Sequence, residues 1–327
     1  PIEALSHLGE RGFCHRALMV TELEARIAWG FMAQPGDPFV RALCEARGPV
    51  EALARVVGQG RLSQVTAGIA VEDTPLLSSH RDRLKAAYNA DKVRHSMALQ
   101  ERAGIVALDA SHPDWPAALD DLGQAAPLTL WARGNPAAWS ATTPRLAVVG
   151  SRKPTAAGLT HAASIIAGPW LDGVTVVSGG AVGIDTVAHH AALLHHRVPV
   201  AVLAGGLEGV YPAQNVGLMN RVSDAGVIFS EAPCGMRVRP EKFLARNRLI
   251  AALSHGVIVV EAAYRSGAIN TAHHAAALGR EVAVVPGRWD DASSRGCFRL
   301  ARDLGARILT EPADAGLVLP LGSGVRA

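Results

Sequence analysis

Leu146-Ala-Val-Val149 runs straight into Gly150-Ser-Arg-Lys-Pro154, and Val174-Thr-Val-Val177 runs straight into Ser178-Gly-Gly-Ala-Val-Gly-Ile-Asp185. Each is an uninterrupted apolar run followed by a glycine-rich turn. The same rhythm recurs at Val198 to Leu203, Val227 to Phe229, Val257 to Val260, Val282 to Val285 and Arg307 to Leu309. Between the runs, residues near 156–171, 183–195, 214–224, 241–254, 267–278 and 294–304 carry helical patterning. Strands that alternate polar and apolar residues face water on one side, whereas these are apolar throughout, as strands covered on both faces must be. Strand–helix alternation with right-handed crossovers then predicts an α/β fold built on a doubly wound parallel sheet.

Upstream the period changes. Residues 1–103 read as a small all-helical domain, with the helical patterning running from about 20 to 103. Leu23, Ile27 and Phe31 fall on one helical stripe, Gln34-Pro-Gly-Asp-Pro38 breaks it, and Gly48-Pro49 and Gly58 end two further helices. Arg81 to Arg102 reads as one longer helix. Residues 104–144, with short strands at Ile105–Leu108 and Leu128–Trp131, read as an adaptor belonging to the sheet domain. In it Trp115, Trp131 and Trp139 read as packing aromatics. The sheet domain proper covers 145–312, and 313–327 reads as a disordered tail.

Composition sets outer bounds. At 327 residues and roughly 150 per domain, about two domains are expected. Hydrophobic residues at 49% exclude wholesale disorder. Eighteen apolar residues never run on unbroken, so no membrane span is expected. Cys14, Cys44, Cys234 and Cys297 are scattered without a C-x-x-C pair, which excludes a disulfide scaffold or zinc knuckle and fits a cytoplasmic location. The first residue is Pro1 and no charged-then-apolar leader follows, which speaks for a trimmed chain and against secretion. The net charge of +3 neither demands nor forbids a polyanionic partner.

In an open parallel sheet, ligands bind at the carboxyl ends of the strands. There the turns Gly150-Ser-Arg152, Ser178-Gly179-Gly180 with Gly183, Ala204-Gly-Gly206, Ser266-Gly267 and Pro286-Gly287 crowd one edge. Glycine lets backbone N–H groups approach a bulky anion, and serine adds a donor. Glycine is common at any single strand-to-helix turn, but five such turns together favour a phosphate-bearing ligand. Neither G-x-G-x-x-G nor G-x-x-x-x-G-K-[ST] occurs, which disfavours a dinucleotide or P-loop site. A second cluster is basic: Arg237, Arg239, Lys242, Arg246 and Arg248 against Glu241, with Phe243 and Asn247 interleaved. Cations at the start of a helix oppose its macrodipole, so an anion between them is the natural partner. The competing reading is a solvated basic face. Basic grooves with interleaved aromatics track single-stranded nucleic acid, which favours the first reading.

Nothing matches a hydrolytic motif, and the adjacent pairs His189-His190, His195-His196 and His273-His274 point to different helix faces and make poor metal ligands. No cofactor, metal or catalytic residue is expected. Asp185 and Glu261, at strand ends, read as hydrogen-bonding partners of loop N–H groups.

The ordered set Val149-Gly-Ser-Arg152, Ser178 to Asp185 with Ala188-His189, Val210-Tyr-Pro212 with Asn215, Arg246-Asn-Arg-Leu-Ile250, Glu261-Ala262, Ser266-Gly267, Thr271-Ala272 and Val285-Pro-Gly287 resembles the DprA/Smf family of DNA-processing proteins. The entry segment His112-Pro-Asp-Trp-Pro116 resembles that family's as well, and residues 20–103 more loosely resemble its sterile-alpha-motif-like N-terminal domain. The resemblance implies an extended Rossmann-like domain that binds single-stranded DNA, dimerises, and helps load a RecA-type recombinase in natural transformation, without catalysis. It places the DNA pocket at Gly150, Ser151, Arg152, Lys242, Phe243, Arg246, Asn247 and Arg248. The glycine-rich turns at Ser178, Gly179, Gly180, Gly183, Ser266 and Gly267 complete the expected single-stranded DNA site. The chain departs from the family in having Phe243-Leu244 where members often have Phe-Pro. It also ends some fifteen residues after the last sheet element, so a winged-helix domain carried by many members is expected to be absent or cut away. Two rivals stay open: a nucleotide-monophosphate-processing enzyme related to phosphoribohydrolases, whose P-G-G-x-G-T loop Ser178-Gly-Gly-Ala-Val-Gly183 echoes faintly, and a pure adaptor whose basic segment docks an acidic recombinase tail. Cys297 to Leu304, near a terminal sheet edge, is a candidate self-association surface.

Overall fold

The computed structural model describes residues 20–69, 75–139 and 143–320; Cys14 and the last seven residues of the expected tail lie outside them. Helices α1 (Glu22–Met32), α2 (Pro38–Val57), α3 (Leu62–Val65), α4 (Pro75–Ala87) and α5 (Ala90–Arg102) come first. Local chemistry sets their limits. Thr21 and Glu24 form a capping box at the start of α1, and the Asp37 carboxylate accepts from the Phe39 and Val40 amides at the start of α2. The expected stop at Gly48-Pro49 is a kink inside α2, where Gly48 takes φ +75°. The single helix expected over Arg81–Arg102 is instead two. Tyr88 and Asn89 interrupt it because the Asn89 side chain caps a new N-terminus, accepting from the Lys92 amide at 2.9 Å.

One nine-stranded sheet follows: β1 (Val106–Leu108), β2 (Leu130–Gly134), β3 (Arg145–Val149), β4 (Thr175–Ser178), β5 (Pro199–Leu203), β6 (Val227–Ser230), β7 (Gly256–Val259), β8 (Glu281–Val284) and β9 (Arg307–Ile308). Its order is β1-β2-β6-β5-β4-β3-β7-β8-β9. Strands β3 to β9 pair parallel, and the adaptor strands β1 and β2 extend the β6 edge antiparallel. The crossover helices are α6 (Ala156–Ala167), α7 (Ile184–Leu194), α8 (Val216–Ala225), α9 (Pro240–Ala252), α10 (Gly267–Ala277) and α11 (Arg295–Leu304). The doubly wound α/β architecture read from the sequence is thus the one observed.

Side-chain alternation along each strand divides the core. Ala147, Val149, Val200, Val202, Phe229, Val257 and Val259 point to the face covered by α9, α10 and α11. Leu146, Val148, Ile258 and Val260 point to the other face, under α6 and α7. Further along that second face, Ala201, Leu203 and Ile228 join Trp131, the α8 residues Leu218, Met219 and Val222, and Ile27, Trp29, Leu43 and Leu53 of the helical segment in one cluster. The N-terminal helices therefore share a core with the sheet. The Arg26 guanidinium ties them further, donating to the Leu128 carbonyl and pairing with Asp109, both at 3.0 Å. The adaptor tryptophans are buried, as expected of packing aromatics.

The tail differs from expectation. Pro312–Val318 forms a 3₁₀ segment, and Ala315, Val318 and Leu319 are buried against the β3–β7 face, so the chain stays folded through Pro320. Three apolar residues spaced along a short turn bury enough surface to hold it.

Candidate functional site

After β3 the chain winds outward through β4, β5 and β6, then returns to add β7, β8 and β9 on the other side. The switch point lies between β3 and β7, where the loops leaving two neighbouring strands turn in opposite directions and open a crevice. A cleft of about 910 Å³ lies there. Gly150, Ser151 and Arg152 follow β3, Ala263, Arg265, Ser266 and Gly267 follow β7, Glu208, Gly209 and Tyr211 follow β5, and Gly235 to Arg239 precede α9; all line it.

Glu261, at the end of β7, holds this frame together. Its carboxylate accepts from the Thr155 amide at 3.2 and 3.1 Å and from the Thr155 hydroxyl at 2.6 Å, bracing the end of the Gly150–Pro154 loop. Asp185 likewise accepts from the Ala181 amide at 3.3 Å. Both carboxylates serve loop N–H groups, in line with the sequence reading. Burial pushes the Asp185 carboxyl up while the Arg246 charge pulls it back down. On the opposite wall the Glu208 carboxylate accepts from the Gly235 amide at 2.7 Å, joining the loops after β5 and β6.

Five arginines line the cleft (Arg152, Arg237, Arg239, Arg246 and Arg265) against two carboxylates, Asp185 and Glu208. Arg152, Arg237, Arg239 and Arg265 are exposed, and none forms an ion pair among the described residues. Uncompensated like charges in one crevice raise the local potential and attract anions. Aromatic surface stands beside them. The Arg152 guanidinium lies 4.5 Å over the Phe243 ring, and Phe243 meets Tyr211 with centroids 5.9 Å apart and ring planes at 55°. Phe243 thus has one face covered by Arg152, whereas Tyr211 is 58% exposed.

The structure gathers Gly150, Ser151, Arg152, Phe243, Arg246, Asn247, Ser266 and Gly267 at this cleft. Arg246 and Asn247 form its floor and are nearly buried. Arg246 donates to the Val202 carbonyl and to Asn247 Oδ1, and burial pulls its guanidinium down to about 10. Asn247 donates to the Gly267 carbonyl and to Asn270 Oδ1, both at 3.1 Å, fixing the start of α10.

The remaining expected residues sit elsewhere. The Ser178 hydroxyl is buried and donates to the Val148 carbonyl at 2.7 Å. Gly179 and Gly180 are packing positions, where a side chain would collide with Asp185 and Arg246 or with Leu203. Gly183 takes φ +91° with the Ser151 carbonyl against it, a conformation and a space only glycine fits. These four shape the cleft from behind rather than line it. Arg248 points away from the cleft: it is buried, paired with Glu231 at 2.8 Å, and donates to the Ala125 and Ala245 carbonyls. Lys242 lines a separate depression under the helical segment, with Trp29, Arg41 and Glu231, where burial lowers its pKa. The basic segment is therefore split. Its sequence carries the reason: Arg246 shares the i, i+3, i+4, i+7 stripe of Leu249, Ile250 and Leu253 and so turns inward. Tyr211 and Arg265 are the cleft residues that charge counting missed. Both stand in strand-end turns, the location that marks a ligand-facing residue in this fold.

A family model described as DNA recombination-mediator protein A matches residues 87–317. The chain belongs to that family. Among curated relatives, it is 40% identical over 301 residues to the putative DNA processing protein DprA of Mycobacterium tuberculosis (strain H37Rv), covering 88% of this chain and 73% of the relative. It is 31% identical over 247 residues to the DNA processing protein DprA of Bacillus subtilis, covering 73% and 82%. Among solved structures, Streptococcus pneumoniae DprA superposes with a TM-score of 0.73 at 27% identity, over 92% of this chain and 99% of that one. A Helicobacter pylori DprA structure, described as giving insight into a unique single-stranded DNA binding mode, superposes with a TM-score of 0.58 at 27% identity, over 65% and 94%. The family assignment and the fold agree with the resemblance read from the sequence. Among the described residues no helix is long and apolar enough to cross a membrane.

Proposed function

We propose that this member of the DprA family binds single-stranded DNA in the switch-point cleft and presents it to a RecA-type recombinase, acting as a homodimer during natural transformation or related recombination. The observation that carries the reading is the set of four exposed, unpaired arginines around one cleft with Tyr211 and Phe243 between them. Guanidinium groups neutralise phosphates and aromatic faces stack on unpaired bases. A duplex hides its bases, so the aromatics gain nothing from it and single strands are preferred. The Helicobacter pylori relative, described as a single-stranded DNA binder, supports the same ligand. The phosphates run past Arg152 and Arg265, bases rest on Tyr211, and Arg237 and Arg239 close the far wall. Phosphate and stacking contacts are largely base-tolerant, so sequence preference is weak. Asp185 and Glu261 are engaged in loop hydrogen bonds, which favours a binding role over chemistry on the strand. A dimer raises affinity by joining two clefts on one strand.

Fluorescence anisotropy with labelled single- and double-stranded oligonucleotides tests the ligand, with clear preference for the single strand expected. Equal affinity for both forms, or release of free base from nucleoside monophosphates, would replace this reading with another. Recombinase loading is read by displacement of a single-strand-binding protein and filament growth with and without the chain.

A further inference from the structure

The cleft ends at the loop after β7, but the exposed aromatic surface does not. Strands β7 and β8 are parallel neighbours, with Val259 opposite Val284, so their loops leave side by side about 5 Å apart. Each carries one exposed aromatic next to one exposed arginine: Tyr264-Arg265 after β7 and Arg288-Trp289 after β8. Trp289 is 85% exposed, while the other five tryptophans of the chain are buried or half-buried. It sits at the tip of a turn closed by the Asp291 amide donating to the Arg288 carbonyl at 3.1 Å. The start of α11, where the β8 loop ends, is fastened to the β7 loop, since the Gly296 amide donates to the Ala262 carbonyl at 2.7 Å. Tyr264 is held too: the Arg299 guanidinium covers one face of its ring at 4.8 Å, and the residue stays 52% exposed. The nearby acids are engaged. Asp290 pairs with Arg288, Asp303 pairs with Arg299 and Arg302, and Asp291 accepts from the Ser293 amide. Arg265 and Arg295 are left exposed and unpaired among the described residues.

A large exposed ring on a fixed turn, in line with a cationic cleft, is a surface awaiting a partner. Interleaved arginines suit a polyanion with aromatic faces better than an apolar protein patch, which would have to desolvate them. We infer that Tyr264 and Trp289 form a second base-stacking platform, over which a single strand leaving the cleft past Arg265 continues across the β7 and β8 loops. This inference rests on the single-strand reading of the cleft.

Because Trp289 is the one strongly exposed tryptophan, its emission reports the contact directly. Titrating the full chain with oligothymidylates of increasing length should leave the exposed-tryptophan emission unchanged while strands are short enough to fill only the cleft. Beyond that length the emission should be quenched and acrylamide access reduced. Trp289→Ala should weaken long-strand binding by about tenfold, the lower part of the range for one stacked base, and leave short-strand binding alone. Trp289→Phe should keep the affinity and lose the signal. The acrylamide measurement on the wild-type chain stands even if Trp289→Ala folds poorly. Long strands that bind without shielding Trp289, with Trp289→Phe and Trp289→Ala indistinguishable from wild type, would remove the platform and leave the cleft reading intact. Failure of the wild-type chain to bind any single strand would remove both. Shielding of Trp289 that tracks protein concentration without DNA would make the ring a self-association contact and overturn the platform.

Discussion

Replacing Arg152 and Arg265 together with alanine removes two of the four exposed, unpaired cations of the cleft and leaves its floor in place. The pair is preferable to one containing Arg246, whose loss would strip the buried Asp185 of the cation that most opposes its desolvation and would perturb the fold. Each phosphate neutralised on a single strand contributes about −0.7 to the slope of log affinity against log salt. Four arginines, one phosphate each, predict a slope of about −2.8, so raising salt from about 50 to about 200 mM should cost roughly 50-fold in affinity. With two arginines gone the slope falls to about −1.4 and the same change costs only about sevenfold. The slope is the informative quantity. Removing Arg152 also uncovers one face of Phe243, so gained stacking can offset part of the affinity loss without altering the number of released counterions. The assay is fluorescence anisotropy with a labelled oligothymidylate across a salt series, with circular dichroism confirming the fold. An unchanged slope in a folded double variant would mean that these arginines do not touch the backbone of the strand.

Arg248→Ala, in the same basic segment, should behave oppositely: unpairing the half-buried Glu231 costs about 3 kcal/mol, seen as a thermal midpoint lowered by several degrees, while the salt slope of the folded fraction stays at the wild-type value. Tyr211→Ala should weaken single-strand binding by about 1–3 kcal/mol with no change of slope, and Tyr211→Phe should restore it, since the ring and not the hydroxyl does the stacking. His189, buried with its ring nitrogen on the Gly179 carbonyl at 2.8 Å, is pulled by burial to about 4, below its unfolded value of about 6.5. The unfolded chain therefore binds the extra proton between those two values. Stability is complete above about pH 6.5 and falls as pH drops toward 4, by up to about 3 kcal/mol from this group. Denaturant unfolding at stepped pH checks it, and His189→Gln should flatten the slope in that window.

Much of this was legible beforehand. Continuous apolar runs closed by glycine turns are what strands buried on both faces require, and from β3 to α11 the expected elements stand where the pattern placed them. The turn positions at Gly150–Arg152 and Ser266–Gly267 followed from the same logic, because a doubly wound sheet binds at its carboxyl edge. Three features were harder to see. The interruption at Asn89 depends on one side chain capping a helix start, a short-range effect that periodicity over Arg81–Arg102 overrides. The burial of Arg246 and Arg248 depends on carbonyl and carboxylate partners at Val202, Ala125 and Glu231, contributed by distant segments. A run of basic residues reads the same whether its charges face water or are satisfied inside; the stripe shared with Leu249 and Ile250 hinted at the difference for Arg246, and nothing local did so for Arg248. Tyr211 carried no charge to draw attention, and its importance appears once the loop after β5 is seen to face Phe243.

Where an unpaired strand lies on the molecule can be read directly by photocrosslinking a thiothymidine-substituted oligonucleotide to the full chain and mapping the modified peptides. The account predicts crosslinks on the peptides carrying Arg152, Tyr211 and Tyr264-Arg265, all competed away by unlabelled single strand. Crosslinks confined to the helical segment or to the depression around Lys242, with the switch-point loops untouched, would contradict it.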